Sequence, residues 1–196
     1  MQKPHIVENA LSKDALDFLT KFCEDNPNAF RNEGNQAIGQ FIDKTISYKV
    51  LHSSMPEPFG KLERIMAHCR FIAQKTILDN WNSYVYPDNT ELTYWDPGDS
   101  MTLHADNTWH DGLEDHIKEL EHPTDYRTHS ALFYLNDNYD GGEIYFPEFD
   151  LEIKPKAGSL LTFPSGNDHR HGVNEVLKRK RFTIAIWYTN QINYLE

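Results

Sequence analysis

Glu91-Leu92-Thr93-Tyr94-Trp95-Asp96-Pro97-Gly98-Asp99-Ser100-Met101-Thr102-Leu103-His104-Ala105-Asp106 is the stretch on which the fold turns. Two short runs, Glu91 to Trp95 and Met101 to Asp106, flank an Asp-Pro-Gly triplet. Proline presets φ for a turn and glycine accepts the left-handed region that other residues resist. The spacing therefore predicts a strand, a tight turn and a second strand. On a strand, residues two apart face the same side, so the His104 imidazole and the Asp106 carboxylate converge.

The same rhythm continues downstream. Apolar stretches recur at Ser130 to Asn136, Glu143 to Phe146, Leu151 to Ile153, Ser159 to Phe163 and Arg181 to Tyr188. Asp140-Gly141-Gly142 and Pro164-Ser165-Gly166 punctuate them as turn signals. Many short strands with such breaks predict a sandwich or barrel. Upstream the period is helical. Ser12 is a good N-cap ahead of Leu16, Leu19 and Phe22. Residues 58 to 82 carry Leu62, Ile65, Met66, Cys69, Ile72, Ala73 and Ile77 on one broad face. Residues 26 to 55 mix loop residues with one or two candidate strands. The expected architecture is α+β, mainly β: a jelly roll (double-stranded β-helix) with supporting N-terminal helices. It forms a single domain over 1–196, with 1–85 as helical support and 86–196 as the jelly-roll core. One acidic segment, 107–127, interrupts the sheet region with Trp109, His110 and His116 and a short helix expected near Leu113 to Leu120. So long a loop in a compact domain is commonly functional, and we read it as a lid.

Composition narrows the function. The chain is 39% hydrophobic, 25% charged and 13% aromatic, a globular profile. A formal net charge of -11 disfavours nucleic acid as a partner and suits a basic or neutral one. The basic run Lys178 to Arg181 is too short to reverse that. No run of about 18 apolar residues predicts a membrane span, and the N-terminus lacks the apolar core of a signal peptide. Cys23 and Cys69 have no ligand spacing and read as buried thiols of a reducing compartment. A cytoplasmic location is expected.

With ten His in the chain, His104-Ala105-Asp106 alone carries little weight. Its chemistry is nevertheless specific: two imidazoles and a carboxylate on one face of an octahedron leave three positions open, as in non-haem Fe(II) oxygenases. The context consists of the strand–turn–strand above, Tyr134-Leu135-Asn136, Gly141-Gly142-Glu143, Ala157-Gly158-Ser159, His171-Gly172-Val173 and Arg181-Phe182-Thr183. As a composite over about residues 91 to 189, the chain resembles the Fe(II)/2-oxoglutarate dioxygenase superfamily, in its prolyl 4-hydroxylase-like branch.

That resemblance implies iron held by His104, Asp106 and a distal histidine. His169 and His171 compete for the distal place. The family's hydrophobics two and five residues on, here Val173 and Val176, fit His171, which leaves His169 as an exposed loop residue. The family's basic anchor for 2-oxoglutarate falls on Arg181, ten residues on, with Thr183 sharing its face and Lys180 ranked second. A guanidinium suits a carboxylate bidentately. Tyr134 matches a tyrosine that some relatives place on the same carboxylate. Tyr94 and Trp95 compete for another tyrosine position, and the Pro-Gly turn aligns Trp95 with it. The implied cofactors are Fe(II), 2-oxoglutarate and O2, with ascorbate implied by the resemblance alone. The implied reaction is hydroxylation of an unactivated C–H bond, in a prolyl residue of a peptide or protein, coupled to decarboxylation of 2-oxoglutarate to succinate. A free amino acid or other small molecule is the alternative substrate, and a non-catalytic cupin-like metal-binding module the alternative class. No His-Glu-x-x-His, P-loop, dinucleotide fingerprint or Gly-x-Ser-x-Gly elbow competes. Trp187 and Tyr188 read as sheet core, and Asn136 and Arg127 as bordering the pocket.

Overall fold

A computed structural model describes residues 2–32, 44–108 and 123–194. Two helices, α1 (Lys13–Asp25) and α2 (Phe59–Trp81), accompany strands β1 (His5–Val7), β2 (Arg31–Asn32), β3 (Lys44–Ser47), β4 (Tyr86–Trp95), β5 (Met101–His104), β6 (Arg127–Tyr134), β7 (Asp140–Gly141), β8 (Ile144–Phe146), β9 (Leu151–Ile153), β10 (Leu160–Pro164), β11 (His171–Val173), β12 (Val176–Lys178) and β13 (Arg181–Thr189). A seven-stranded sheet runs β1-β10-β6-β13-β4-β3-β2. A four-stranded sheet runs β5-β11-β8-β9, and β12 pairs with β7. The recorded pairings are antiparallel. The result is the expected mainly-β jelly roll with helices on one side. The N-terminal part also supplies strands to the large sheet: β2 and β3 fall in the stretch 26–55 where one or two candidate strands were expected, and β1, which the sequence reading did not expect, pairs with β10.

Strand parity sorts the large sheet into two faces. From β13, Phe182, Ile184, Ile186 and Tyr188 join Leu92, Tyr94, Ala131 and Phe133 against the buried helix residues Leu19, Phe22, Leu62, Met66, Ala73 and Ile77. Fully burying each large side chain of this set stabilises the fold by about 1.5–3 kcal/mol. The alternate residues of β13, Arg181, Thr183, Ala185 and Trp187, line the space between the sheets. A slip of one residue would exchange the two sets, so the apolar core fixes Arg181 on the inner face. Helix α1 starts as the sequence predicts, with Ser12 Oγ accepting from the Ala15 N–H at 3.3 Å, which satisfies one of the first-turn donors. Cys23 and Cys69 are free and buried. Burial pushes the Cys69 thiol up to about 12, which leaves it unreactive. Among the described residues no helix is long and apolar enough to cross a membrane.

On the helix side of β6, His129 sits 5.8 Å from the Trp81 ring centroid. Burial pushes this imidazole down to about 4, and nearby His169 adds to the effect. Its unfolded value is about 6.5. The unfolded chain therefore binds the proton more readily, and stability is full above about pH 6.5 and is lost as pH falls towards 4. The loss at the acid end is about 3 kcal/mol. Thermal melts of the metal-free protein should show this slope between pH 7 and 4.5, and His129→Gln should flatten it. An unchanged slope in the variant would assign the acid sensitivity to other groups.

Candidate active site

The two candidate histidines reach the cavity from neighbouring strands of the small sheet. His104 ends β5 and His171 begins β11, and they are cross-strand partners with ring centroids 4.4 Å apart. Each imidazole is turned by a backbone carbonyl. Nδ1 of His104 faces the Thr102 carbonyl oxygen at 2.9 Å, and Nδ1 of His171 faces that of His169 at 3.1 Å. A proton on Nδ1 donates to that carbonyl and leaves Nε2 as the free electron pair, the arrangement metal-ligating histidines use. His104 Nε2 lies 3.6 Å from one Asp106 oxygen and His171 Nε2 lies 3.9 Å from the other.

Asp106 belongs mechanically to the large sheet. Its backbone N–H donates to the Ser165 carbonyl at 3.0 Å, and its carboxylate accepts from Ser130 Oγ, which also contacts Ser165 Oγ at 2.8 Å. Burial alone would push this carboxyl up. The His171 and His104 rings and the Ser130 hydroxyl outweigh it and hold the group far below the usual carboxylate range, since each favours the charged form. Asp106 is therefore held in its charged form, the form that a metal ligand needs. One donor atom from each of the three residues lies within 4.8 Å of the others, and among the described residues no other His, Cys, Asp or Glu group clusters so. Two nitrogens and a carboxylate oxygen suit Fe(II) by donor chemistry.

From this triad a narrow cavity of about 70 Å³ runs between the sheets to Arg181, walled by Leu132, Ile144, Phe163 and Val173. The Arg181 side chain is 1% exposed. Its guanidinium lies 5.1 Å from the ring centroids of both Trp95 and Tyr134. Among the described residues no carboxylate pairs with it and its Nε has no hydrogen-bond partner. Cation–π contacts only partly offset the burial of such a charge. The Tyr134 hydroxyl is likewise buried without a partner. A fixed cation with idle donors fits the distal carboxylate of a 2-oxo diacid whose other end reaches the triad.

The structure brings together His104, Asp106, His171, Arg181, Thr183 and Tyr134, and corrects several readings. Tyr94 is not in the cavity. It faces the helices, its ring against Phe30 at 4.8 Å and Phe182 at 6.3 Å, because its parity is opposite to that of Trp95. Lys180 shares that outer face, over the Tyr94 ring and 3.3 Å from Asp96. His169 is not an exposed loop residue: it is buried, with Nε2 2.8 Å from the Gln2 carbonyl oxygen and away from the triad. Asn136 is a bracket and not a pocket residue, donating to the Lys180 carbonyl and accepting from the Phe182 N–H. Tyr188 is core as expected, but Trp187 lines the cavity, with the Arg127 guanidinium 4.6 Å from its ring centroid. Thr183 is engaged by Thr93, its hydroxyl 2.6 Å away. Sequence reasoning missed Thr93, Ser130 and Ser165. Thr93 could have been found, since it stands two before Trp95 on the same strand. The reading of 107–127 as a lid, with Trp109, His110 and His116, falls largely on 109–122, outside the described residues.

Gly172, beside His171, is required by a close approach. A Cβ there would meet the Tyr145 ring, 2.3 Å from its hydroxyl oxygen and 2.4 Å from Cζ. Gly172→Ala should lower stability by about 1–3 kcal/mol and weaken iron binding by displacing β11. Adding Tyr145→Ala should restore both; a double variant as impaired as the single one would show that Tyr145 is not the obstacle.

Residues 90–189 match the sequence profile of the family described as the 2OG-Fe(II) oxygenase superfamily, and the chain belongs to that family. It is 38% identical over 102 residues to human prolyl 3-hydroxylase 2, an alignment covering 50% of this chain and 14% of that protein, so the chain spans a small part of its curated relatives. The fold is shared with the viral collagen prolyl hydroxylase of Paramecium bursaria Chlorella virus-1, solved as a 2-oxoglutarate complex, at TM-score 0.66 and 15% identity over 96% of each chain. It is shared also with a Trichoplax adhaerens prolyl hydroxylase solved with a hypoxia-inducible factor peptide, at TM-score 0.66 and 18% identity over 95% of this chain and 83% of that one.

Proposed function

We propose that this chain hydroxylates a prolyl residue in a peptide or protein, using Fe(II) held by His104, Asp106 and His171 and 2-oxoglutarate anchored on Arg181. The observation that carries the cofactor assignment is the unpaired, buried guanidinium of Arg181 in the same cavity as the triad. In this family, iron and 2-oxoglutarate together activate O2 and couple oxidative decarboxylation to insertion of one oxygen atom into a C–H bond. The chain's own groups do the rest. The Thr102 and His169 carbonyls orient the imidazoles, and Ser130 holds the carboxylate. Arg181, Tyr134 and the Thr93–Thr183 pair receive the distal end of the cosubstrate. Leu132, Ile144, Phe163 and Val173 keep water from the wall of the cavity. The prolyl assignment is supported by the relatives' activity. It is supported also by the acidic chain, which suits a neutral or basic polypeptide.

The test is incubation with Fe(II), 2-oxoglutarate and ascorbate against proline-containing peptides and, separately, free amino acids. Succinate release should be coupled to gain of one oxygen atom in a peptide. Coupling to free amino acids alone would overturn the peptide assignment. Absence of an anaerobic charge-transfer band on adding 2-oxoglutarate to the iron-loaded protein would overturn the cofactor assignment.

A further inference from the structure

A second cavity adjoins the triad. It encloses about 330 Å³ and shares one wall residue, His104, with the cavity between the sheets. Three connections meet there. Thr108 follows β5, Glu148 stands in a single turn of 3-10 helix after β8 (Pro147–Phe149), and Asn167 and Arg170 belong to the link between β10 and β11. The Glu148 turn is closed by Asp150, whose φ of 48° is left-handed and whose N–H donates to the Pro147 carbonyl at 3.2 Å. Glu148 is thus presented from a closed corner between two strands of the small sheet.

Arg170 Nε donates to one carboxylate oxygen of Glu148 at 2.7 Å and fixes the side chain. The other oxygen, Oε2, is buried, and among the described residues it has no hydrogen-bond partner. Beside it in the wall, the Thr108 hydroxyl donates to Asn167 Oδ1 at 2.9 Å, which leaves lone pairs on the hydroxyl oxygen free to accept. A buried acceptor without a donor is costly, and native interiors rarely keep one without a reason. A carboxylate has lone pairs enough to serve two cations at once. The group that satisfies Oε2 is therefore a further N–H donor, and a charged donor bonds about twice as strongly as a neutral one. The formal charge of -11 adds a field that draws cations and repels anions.

A polypeptide that brings a prolyl residue to the triad passes this cavity, because His104 belongs to both. An extended chain advances about 3.3–3.6 Å per residue, so a side chain within about three residues of the proline reaches Glu148. We infer that Glu148 is a specificity-determining residue: its unpartnered oxygen takes the ammonium or guanidinium of a lysine or arginine close to the target proline, while Arg170 holds the carboxylate in place. The inference rests on the peptide reading above and narrows it to polypeptides with a basic residue near the proline.

The experiment measures binding and turnover separately. A dye-labelled host peptide with a single proline carries lysine, glutamine or glutamate in turn at each of the three positions on either side of it. Fluorescence anisotropy without oxygen, on protein loaded with Fe(II) and 2-oxoglutarate, gives Kd, and mass spectrometry after aerobic turnover gives oxygen gain. At one position lysine should bind about tenfold or more tighter than glutamine, the worth of one hydrogen bond to a charged group, and glutamate should bind weakest. Glu148→Gln should erase that preference while keeping the anaerobic charge-transfer band with 2-oxoglutarate, the control for fold and cofactor site. Glu148→Lys should reverse it in favour of glutamate. A wild type without the lysine preference, or a preference that survives in Glu148→Gln, would overturn the role of Glu148. Peptides hydroxylated alike whatever the flanking residue would remove this inference and leave the prolyl reading standing. A Glu148-dependent lysine preference that persists when alanine replaces the proline, with no oxygen gained by any peptide, would keep the cation site and remove the prolyl reading.

Discussion

Asp106→Ala should abolish iron binding and turnover while leaving the fold intact. Asp106 supplies the only negative charge in the triad, and it is ionised throughout the working pH range because both imidazoles and Ser130 stabilise its anion. Removing it leaves two neutral nitrogens, a poor match for a hard divalent ion. Losing a partner that merely orients a ligand lowers metal affinity by about 10–100-fold, so deleting the charged ligand itself should cost about 10³-fold or more. Anaerobic Fe(II) titration with circular dichroism as the folding control measures this. A folded variant that still binds Fe(II) within tenfold of wild type would remove Asp106 from the site. In the wild type, iron affinity should fall in acid, because the ligating imidazoles must be neutral and the carboxylate ionised.

Arg181→Met should act with opposite signs on stability and on cosubstrate binding. The guanidinium is buried beside two aromatic rings, and among the described residues no carboxylate pairs with it. Replacing buried charged groups by a hydrophobe of similar volume commonly stabilises by about 1–4 kcal/mol, so the ligand-free variant should melt higher than wild type. Its affinity for 2-oxoglutarate should fall by about two to three and a half orders of magnitude, the loss of a desolvated charge pair worth about 3–5 kcal/mol. Thermal melts and the anaerobic charge-transfer titration read the two effects separately. A ligand-free variant less stable than wild type would make Arg181 a brace of the sheet, with its charge satisfied by the rings.

What the sequence could reveal was set by strand parity. Arg181 and Thr183, two apart on β13, share the inner face as this rule requires; His104 and Asp106 also converge, but β5 ends at His104, short of the expected Asp106, which stands in the following turn and is held there by Ser165 and Ser130. The Asp-Pro-Gly turn put Trp95 in line with Arg181, its cross-strand partner. Carrying the same rule further would have removed Tyr94 and brought in Trp187, which shares the face of Arg181 on the same strand. The remainder depended on contacts distant in sequence. No local signal pairs His5 to Val7 with Leu160 to Thr162, or brings Ser165 to the Asp106 backbone.

The division of the triad between the two layers has a mechanical consequence. Both histidines stand on the small sheet, where among the described residues β5 is an edge strand held by β11, whereas Asp106 is tied to the large sheet through Ser130 and Ser165. An ion held by all three would be a cross-link between the layers, doing for this sandwich what a disulfide does for others, with the free thiols of Cys23 and Cys69 playing no part in it. Its release frees the edge strand to fray first, in keeping with the low local stability of ligand-binding elements, so that metal loading and order at the rim of the sandwich rise and fall together.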